Sequence, residues 1–195
     1  MPIVKHENES CCRASEAAMR IISGTHKGRR IDAPKKLGIR PTTDFAKESL
    51  FNILINNFDF SELTVLDLFS GSGAISFEFA SRGSEKIILV EKDFSRMEFI
   101  KTRSRDFGFS TIRTVKTDVF RYLENCSETF SIIFADPPFE IKGLDTILKI
   151  VVEKKLLMPG GWLIIEHSSD HDFSNAEQFL QKRVYGSVNF SIFKA

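Results

Sequence analysis

Cysteine is scarce in this chain: three among 195 residues, Cys11, Cys12 and Cys126. An odd count with no Cys-x-x-Cys spacing argues against a disulfide framework and offers no thiolate set for zinc. Such usage suits a reducing compartment, so a cytoplasmic location is expected. No apolar run reaches the ~18 residues that a membrane span needs, and no membrane contact is expected. No basic start followed by an apolar block and a small-residue cleavage site marks a secretory leader. One tryptophan and two tyrosines stand against nineteen phenylalanines, so the aromatic content belongs mainly to a core. Net charge is nearly absent as well, at +1. That cancellation hides an asymmetry: seven Lys/Arg and one acid lie between Arg20 and Arg40, a local +6 that leaves −5 for the rest. A segregated patch suits a polyanionic partner, although a solvated basic loop has the same composition.

The hydrophobic fraction of 42% fits one globular domain with a sizeable core. Residues 1–18 show neither helical nor strand period and are expected to form a poorly ordered extension. From Met19, "RIISG" and "RRIDAP" predict two short strands joined by a basic, glycine-containing turn. Thr42, Thr43 and Asp44 then offer N-caps to a helix whose buried stripe is expected to be Phe45, Leu50, Phe51, Leu54 and Ile55. Beyond Leu63 strands alternate with helices: "TVLDLFS", a helix closing at Gly83, "KIILVE", a helix over 93–107, "STIRTVKTD", "SIIFAD", a helix over 144–154, and "WLIIEH" after a break at "MPGG". That alternation predicts a parallel sheet covered by helices on both faces. The tail "QKRVYGSVNFSIFKA" predicts a hairpin turning at Gly186-Ser187, an antiparallel addition.

"LDLFSGSGAI" lies between a predicted strand and helix, where glycines let backbone approach a ligand. Dinucleotide folds carry G-x-G-x-x-G here; this chain has Gly71-Ser72-Gly73 and then Ala74, with Asp67 four residues before the first glycine. A carboxylate at that distance repels pyrophosphate but suits an ammonium or sulfonium, which points to S-adenosylmethionine. Eighteen residues past Gly73, Glu91 ends the second strand, where an acid accepts hydrogen bonds from ribose hydroxyls. Lys92 follows it. Asp118 after the third strand can meet the adenine amine, and Phe69 and Val119 can flank the ligand.

The fourth strand ends in Asp136-Pro137-Pro138-Phe139. Two prolines halt a strand abruptly and make the following backbone rigid. A carboxylate and the Pro137 carbonyl can each accept one N–H of a planar exocyclic amine. That orients the nitrogen and favours its pyramidalisation as a new bond forms. Phe139 can stack on the base, worth ~1–3 kcal/mol, which helps offset the unstacking of a flipped nucleotide. Asp136, Pro137, Pro138 and Phe139 are therefore the catalytic candidates. His26, His167 and His171 have no second ligand at a convincing spacing, so no metal is expected.

With these residues in place, the chain resembles the bacterial small-subunit (16S) rRNA guanine-N2 methyltransferases of the RsmD family, from about Met19 to Phe193. "MRIISGTHKGRRI" is similar to that family's opening, and "RPTTDFAKESLFNIL" to its Arg-Pro-Thr-x-Asp…Glu-x-Leu-Phe-Asn signature. "DLFSGSGAISFEFASRG" matches its cofactor loop and "DPPF" its catalytic motif. The resemblance implies a class I, Rossmann-like seven-stranded α/β fold with a terminal antiparallel strand. It implies S-adenosylmethionine as donor and one guanine of 16S rRNA as acceptor, within the small ribosomal subunit or an assembly intermediate. Asp67, Gly71, Gly73 and Glu91 carry over as donor-site positions, and Asp136 to Phe139 as the catalytic motif. Arg40, Thr42, Thr43 and Asp44 belong to the signature before the first helix. Two departures stand out: Ser70 replaces a usual alanine, and Lys47 stands where arginine is common, which weakens a bidentate phosphate contact there.

The expected division is an extension at 1–18, a basic β-hairpin appendage at 19–41 and a methyltransferase domain at 42–195, acting as a monomer. Arg20, Lys27, Arg29, Arg30 and Arg40 are the expected RNA-facing cations, since phosphate contacts supply most non-specific affinity. Two other readings stay open: an N-methyltransferase for DNA or a protein glutamine, and a non-catalytic RNA-binding assembly factor that retains the fold.

Overall fold

The computed structural model describes residues 19–38, 43–138, 141 and 143–195; the expected extension at 1–18 lies outside them, as do Arg40, Thr42 and Phe139. Seven strands form one sheet: β1 (Thr64–Leu68), β2 (Lys86–Glu91), β3 (Ile112–Lys116), β4 (Phe130–Ala135), β5 (Leu157–His167), β6 (Phe179–Tyr185) and β7 (Val188–Lys194). Their order is β3-β2-β1-β4-β5-β7-β6. The first five are parallel, and β7 is antiparallel to both of its neighbours, β5 and β6. Strand order therefore reverses between β1 and β4, and in open sheets of this kind ligands bind at that switch, outside the carboxyl ends of the strands.

Among the described residues five α-helices cover the sheet: α1 (Asp44–Ile55), α2 (Ala74–Ser81), α3 (Phe94–Asp106), α4 (Val119–Asn125) and α5 (Leu144–Glu153). Alternate strand residues face opposite ways, and they sort into two cores. Val65, Ile132, Phe134 and Ile164 pack with Leu50, Phe51 and Leu54 of α1 and with Ile75 and Phe79 of α2. Leu66, Leu68, Ile133 and Ile165 pack on the other face with Val119 and Leu123 of α4 and Ile147 and Val151 of α5. Helix α4 was not foreseen. At seven residues it is too short to display a helical period, and it is nucleated by the Asp118 side chain, which accepts from the Phe120 and Arg121 amides at 2.9 and 3.3 Å.

Three further expectations need correction. Met158–Gly161 does not break the chain before β5 but lies inside it, opposite a register shift between Phe130 and Ile132. Such a bulge accommodates the irregular residues without ending the ladder. The stripe expected on α1 is displaced: Phe45 and Ile55 are 67% and 58% exposed, whereas Ala46 and Lys47 are buried. Finally, the two short strands at the N-terminus amount to a single antiparallel bridge, Arg20 with Arg30, closed by Gly28 N–H to the Ile21 carbonyl at 2.8 Å and Ile31 N–H to the Met19 carbonyl at 2.7 Å.

This minimal hairpin is held less by its own ladder than by α2. Glu78, fully buried, accepts from the Ile22 and Ser23 amides at 2.7 and 3.0 Å and from Arg82 Nε at 2.8 Å. Lys47 Nζ lies 3.8 Å from Glu78 and donates to the Arg20 carbonyl. Burial pushes the Lys47 ammonium below its ordinary range, and Glu78 and Asp44 partly counter that. Ile21 and Ile31 complete the anchorage, inserted among Phe77, Leu89, Met97 and Ile100. Gly24 closes the far end against Ser81, where a Cβ would lie 1.9 Å from the Ser81 carbonyl oxygen.

Candidate active site

The loop after β1 combines tight local bonding with strained backbone. Ser70 N–H donates to the Val90 carbonyl at 3.2 Å and Gly73 N–H to the Ser70 carbonyl at 2.7 Å. Ser70 Oγ donates to the Asp67 carbonyl at 2.9 Å. Phe69 has φ 60°, rare for a bulky residue, and Gly71 and Gly73 have φ 55° and 76°. A non-glycine left-handed residue at a strand end is a strained position of the kind that clusters at ligand sites. Gly73 also serves packing: a Cβ there would come within 3.2 Å of the Phe77 ring and 3.3 Å of Ile100.

Two carboxylates face this loop from adjacent strands. Asp67 is 2% exposed and accepts from Ser76 Oγ at 2.6 Å. Burial, together with the neighbouring charge of Asp136, pushes its carboxyl up to about 7, against the opposing pull of the Ser76 and Ser70 hydrogen bonds. Asp136 follows β4 directly, its amide 3.5 Å from the Leu68 carbonyl at the end of β1. Two acids converging here favour a cation, which would return Asp67 to its ionised form. Ser76 was missed from sequence; its only signal is its place one turn into α2, on the side that meets β1.

Glu91 closes the site on the other side. It is 4% exposed; Oε2 accepts from Gly71 N–H at 3.1 Å and Oε1 from Asp93 N–H at 2.8 Å. The carboxylate is thus pinned between the glycine turn and the start of α3, with each oxygen retaining further acceptor capacity. Lys92 is exposed beside it. Ser72 is buried, and its Oγ accepts from Ala74 N–H at 3.3 Å. Asp118 is exposed at the end of β3, with Oδ1 engaged as the α4 cap, and Val119 packs into the core beneath it. Asp67, Phe69, Gly71, Gly73, Glu91, Asp118 and Asp136 therefore share one sheet edge, that of the strand carboxyl ends. A glycine cradle, an acid for a cation and a pinned acid for a diol fit S-adenosylmethionine, whose sulfonium, ammonium and ribose present those groups.

The basic residues are placed differently. Thr25 and His26 amides bond Ser81 at 2.8 and 2.9 Å, so the turn bearing Lys27 sits at the C-terminal end of α2. Eight helical residues, about 12 Å, separate that end from the glycine loop. Arg29 lies over Phe107, near the end of α3, 5.6 Å from its centroid. Arg20 pairs with Asp44 at 2.8 Å and Arg30 with Asp32 at 3.2 Å. The other end of the segment returns to the site edge, where the Leu37 carbonyl accepts from Arg96 Nε at 3.1 Å. Lys47 is inside the protein and presents no charge to a phosphate. His167 is also enclosed, its ring nitrogens 2.7 and 2.8 Å from the Ser168 carbonyl and Ser191 Oγ; burial pushes its imidazolium below the usual range. Among the described residues no cluster of His, Cys, Asp or Glu could hold a metal ion, and no helix is long and apolar enough to cross a membrane.

Residues 19–194 match the family described as "Conserved hypothetical protein 95". The chain is 33% identical over 183 residues to the "Putative rRNA methyltransferase YlbH" of Bacillus subtilis, covering 90% of this chain and 98% of that one. It is 32% identical over 148 residues to the Escherichia coli K12 "Ribosomal RNA small subunit methyltransferase D", covering 76% and 71%. A solved hypothetical protein from Thermus thermophilus superposes with a TM-score of 0.80 at 26% identity, over 90% of this chain and 99% of that one.

Proposed function

From the premise that this chain belongs to the RsmD family, we propose that it methylates the exocyclic N2 of one guanine in 16S rRNA, in the small ribosomal subunit or an assembly intermediate. It acts there as a cytoplasmic monomer. The observation that carries the reading is the convergence of Asp136 with buried Asp67 at the switch between β1 and β4. Relatives named as small-subunit rRNA methyltransferases support the acceptor class.

When bound, S-adenosylmethionine supplies an electrophilic methyl group on a sulfonium. Asp67, braced by Ser76, offers negative charge to the donor's cationic end, and Glu91 accepts from the ribose hydroxyls. Gly71 and Gly73 leave room for close backbone approach. Asp136 and the Pro137 carbonyl accept the two N–H bonds of the guanine amine and aim its lone pair. Pro137 and Pro138 hold those acceptors in place, so the geometry exists before the base arrives. Phe139 supplies the stacking surface in this reading. Asp118 and Lys92 border the donor's adenosine end, beside Phe69 and Val119.

The test is transfer of labelled methyl to small subunits lacking the modification, bare rRNA and duplex DNA, with nucleoside analysis. Label in N2-methylguanosine is expected from the ribosomal acceptors. Asp136→Ala should abolish transfer while S-adenosylmethionine affinity stays within a few-fold. Turnover retained in that variant, or label in DNA, would overturn the reading.

A further inference from the structure

Helix α1 carries a second stripe beside its buried one. Phe45, Ser49, Asn52 and Asn56, spaced four, three and four residues apart, lie along one side of the helix. Between that side and β6 runs an open groove of about 660 Å³, a size typical of ligand sites. Asn52, Ile53 and Asn56 line it from α1, Leu180, Gln181 and Arg183 from β6, and Trp162 of β5 also borders it. Among the described residues lining the groove there is no acid, and Arg183 is the charge. Asn56 donates to the Asn52 carbonyl at 2.7 Å, which fixes the orientation of its side-chain amide.

One end of the groove, at Arg183 and Tyr185, reaches the edge of the sheet that holds the candidate active site. Because β7 is antiparallel to β5 and to β6, β6 runs the same way as β5 and ends, at Tyr185, on the side of the strand carboxyl ends. There Phe45 meets Tyr185 edge to face, 5.9 Å between centroids, while remaining 67% exposed. Three strand spacings, about 14 Å, separate β6 from β4 and its Asp136.

We propose that this groove receives single-stranded RNA flanking the nucleotide that enters the active site. Phe45 and Tyr185 give a base an aromatic surface to stack on, the amides read base edges or ribose hydroxyls, and Arg183 takes a phosphate. The lining mixes amides with the apolar surfaces of Ile53, Trp162 and Leu180, and no acid among the described lining residues stands beside Arg183 to repel a phosphate. Aromatic and apolar surface for bases beside a cation for the backbone is what a single-stranded nucleic acid needs. The inference rests on the rRNA reading above and assigns the strand's path, which the basic turn at the far end of α2 does not supply.

The experiment compares wild type with Phe45→Ala and with Asn52→Asp combined with Arg183→Ala, all at solvent-facing positions. Affinity for an unmodified 16S rRNA transcript is measured across a salt series, alongside S-adenosylmethionine affinity and KM and kcat for methyl transfer. Phe45→Ala should weaken RNA binding about five- to tenfold, as loss of one stacking contact implies. The double variant should do so at least as strongly and should lower the salt slope by about one. Donor affinity and kcat should stay unchanged in both. RNA affinity and slope unchanged in both variants would overturn the groove while leaving the function standing. Reduced turnover on assembled subunits with unaltered RNA affinity would overturn it too, and would point to a ribosomal protein as occupant. Wild type that binds rRNA in a variant-sensitive manner but methylates none of it would instead refute the proposed function and support the groove.

Discussion

Replacing Asp67 with Asn should make the unliganded protein more stable above neutral pH while removing donor binding. Asp67 is buried against β2 and β4, and its carboxyl is pushed from 3.8 up to about 7. Between those values the folded protein binds a proton that the unfolded chain releases, so this group's contribution to stability falls as pH rises through the window. At about 1.4 kcal/mol per pH unit across that window, the accumulated penalty at pH 8 is about 4 kcal/mol. Asn keeps an oxygen to accept from Ser76 Oγ and never ionises, so it avoids the penalty. The wild-type and variant stabilities should therefore differ least near pH 4 and diverge up to pH 8, where Tm rises by roughly 10 °C for a chain of this size. Urea unfolding of both proteins at pH 4, 6 and 8, without ligand, measures the divergence. Calorimetry should show S-adenosylmethionine binding tightening as pH passes through 7 in wild type, and lost in the variant. A stability difference that is flat in pH, or that shrinks toward pH 8, would refute the assignment of Asp67 as a buried, strained carboxyl.

Two perturbations address the N-terminal hairpin. Glu78→Gln removes the charge that Arg82 and Lys47 face, and should destabilise the fold by about 3 kcal/mol or more, with faster amide exchange at Ile22 and Ser23. Gly24→Ala should release the turn from Ser81, because no L side chain fits 1.9 Å from a carbonyl oxygen at φ +82°. The loss should stay near 1–3 kcal/mol, since the sheet is untouched, and exchange at Thr25 reports it. Gly73→Ala should weaken both stability and donor affinity, as its Cβ would press on Phe77 and Ile100 at a left-handed φ of +76°; unchanged melting and binding would contradict that placement.

Much of the fold and of the candidate site is legible in the sequence. Alternating apolar runs with punctuating glycines identify strand and helix, and Asp67, Glu91, Asp118 and Asp136 each stand at a strand end. Their meeting along one sheet edge follows from parallel connections alone, because every parallel strand delivers its carboxyl end to the same side. Local rules failed where burial overrode them. Lys47 reads as a surface cation, and only packing of α1 against Glu78 puts it inside. Phe45 reads as core by spacing yet is left in water, because the interface of α1 is rotated toward Ala46 and Lys47.

By itself, the order of residues determined the strand–helix sequence, the glycine turn, the two prolines that end β4 and the acid at each strand end. These depend on backbone restriction and periodicity within a few residues. Tertiary structure alone decided the rise in the Asp67 carboxyl, the docking of the hairpin on Glu78, the remoteness of the Lys27 turn from the site and the groove between α1 and β6. Each of those arises between segments distant in the chain, where charge, desolvation and packing depend on neighbours that local pattern does not name.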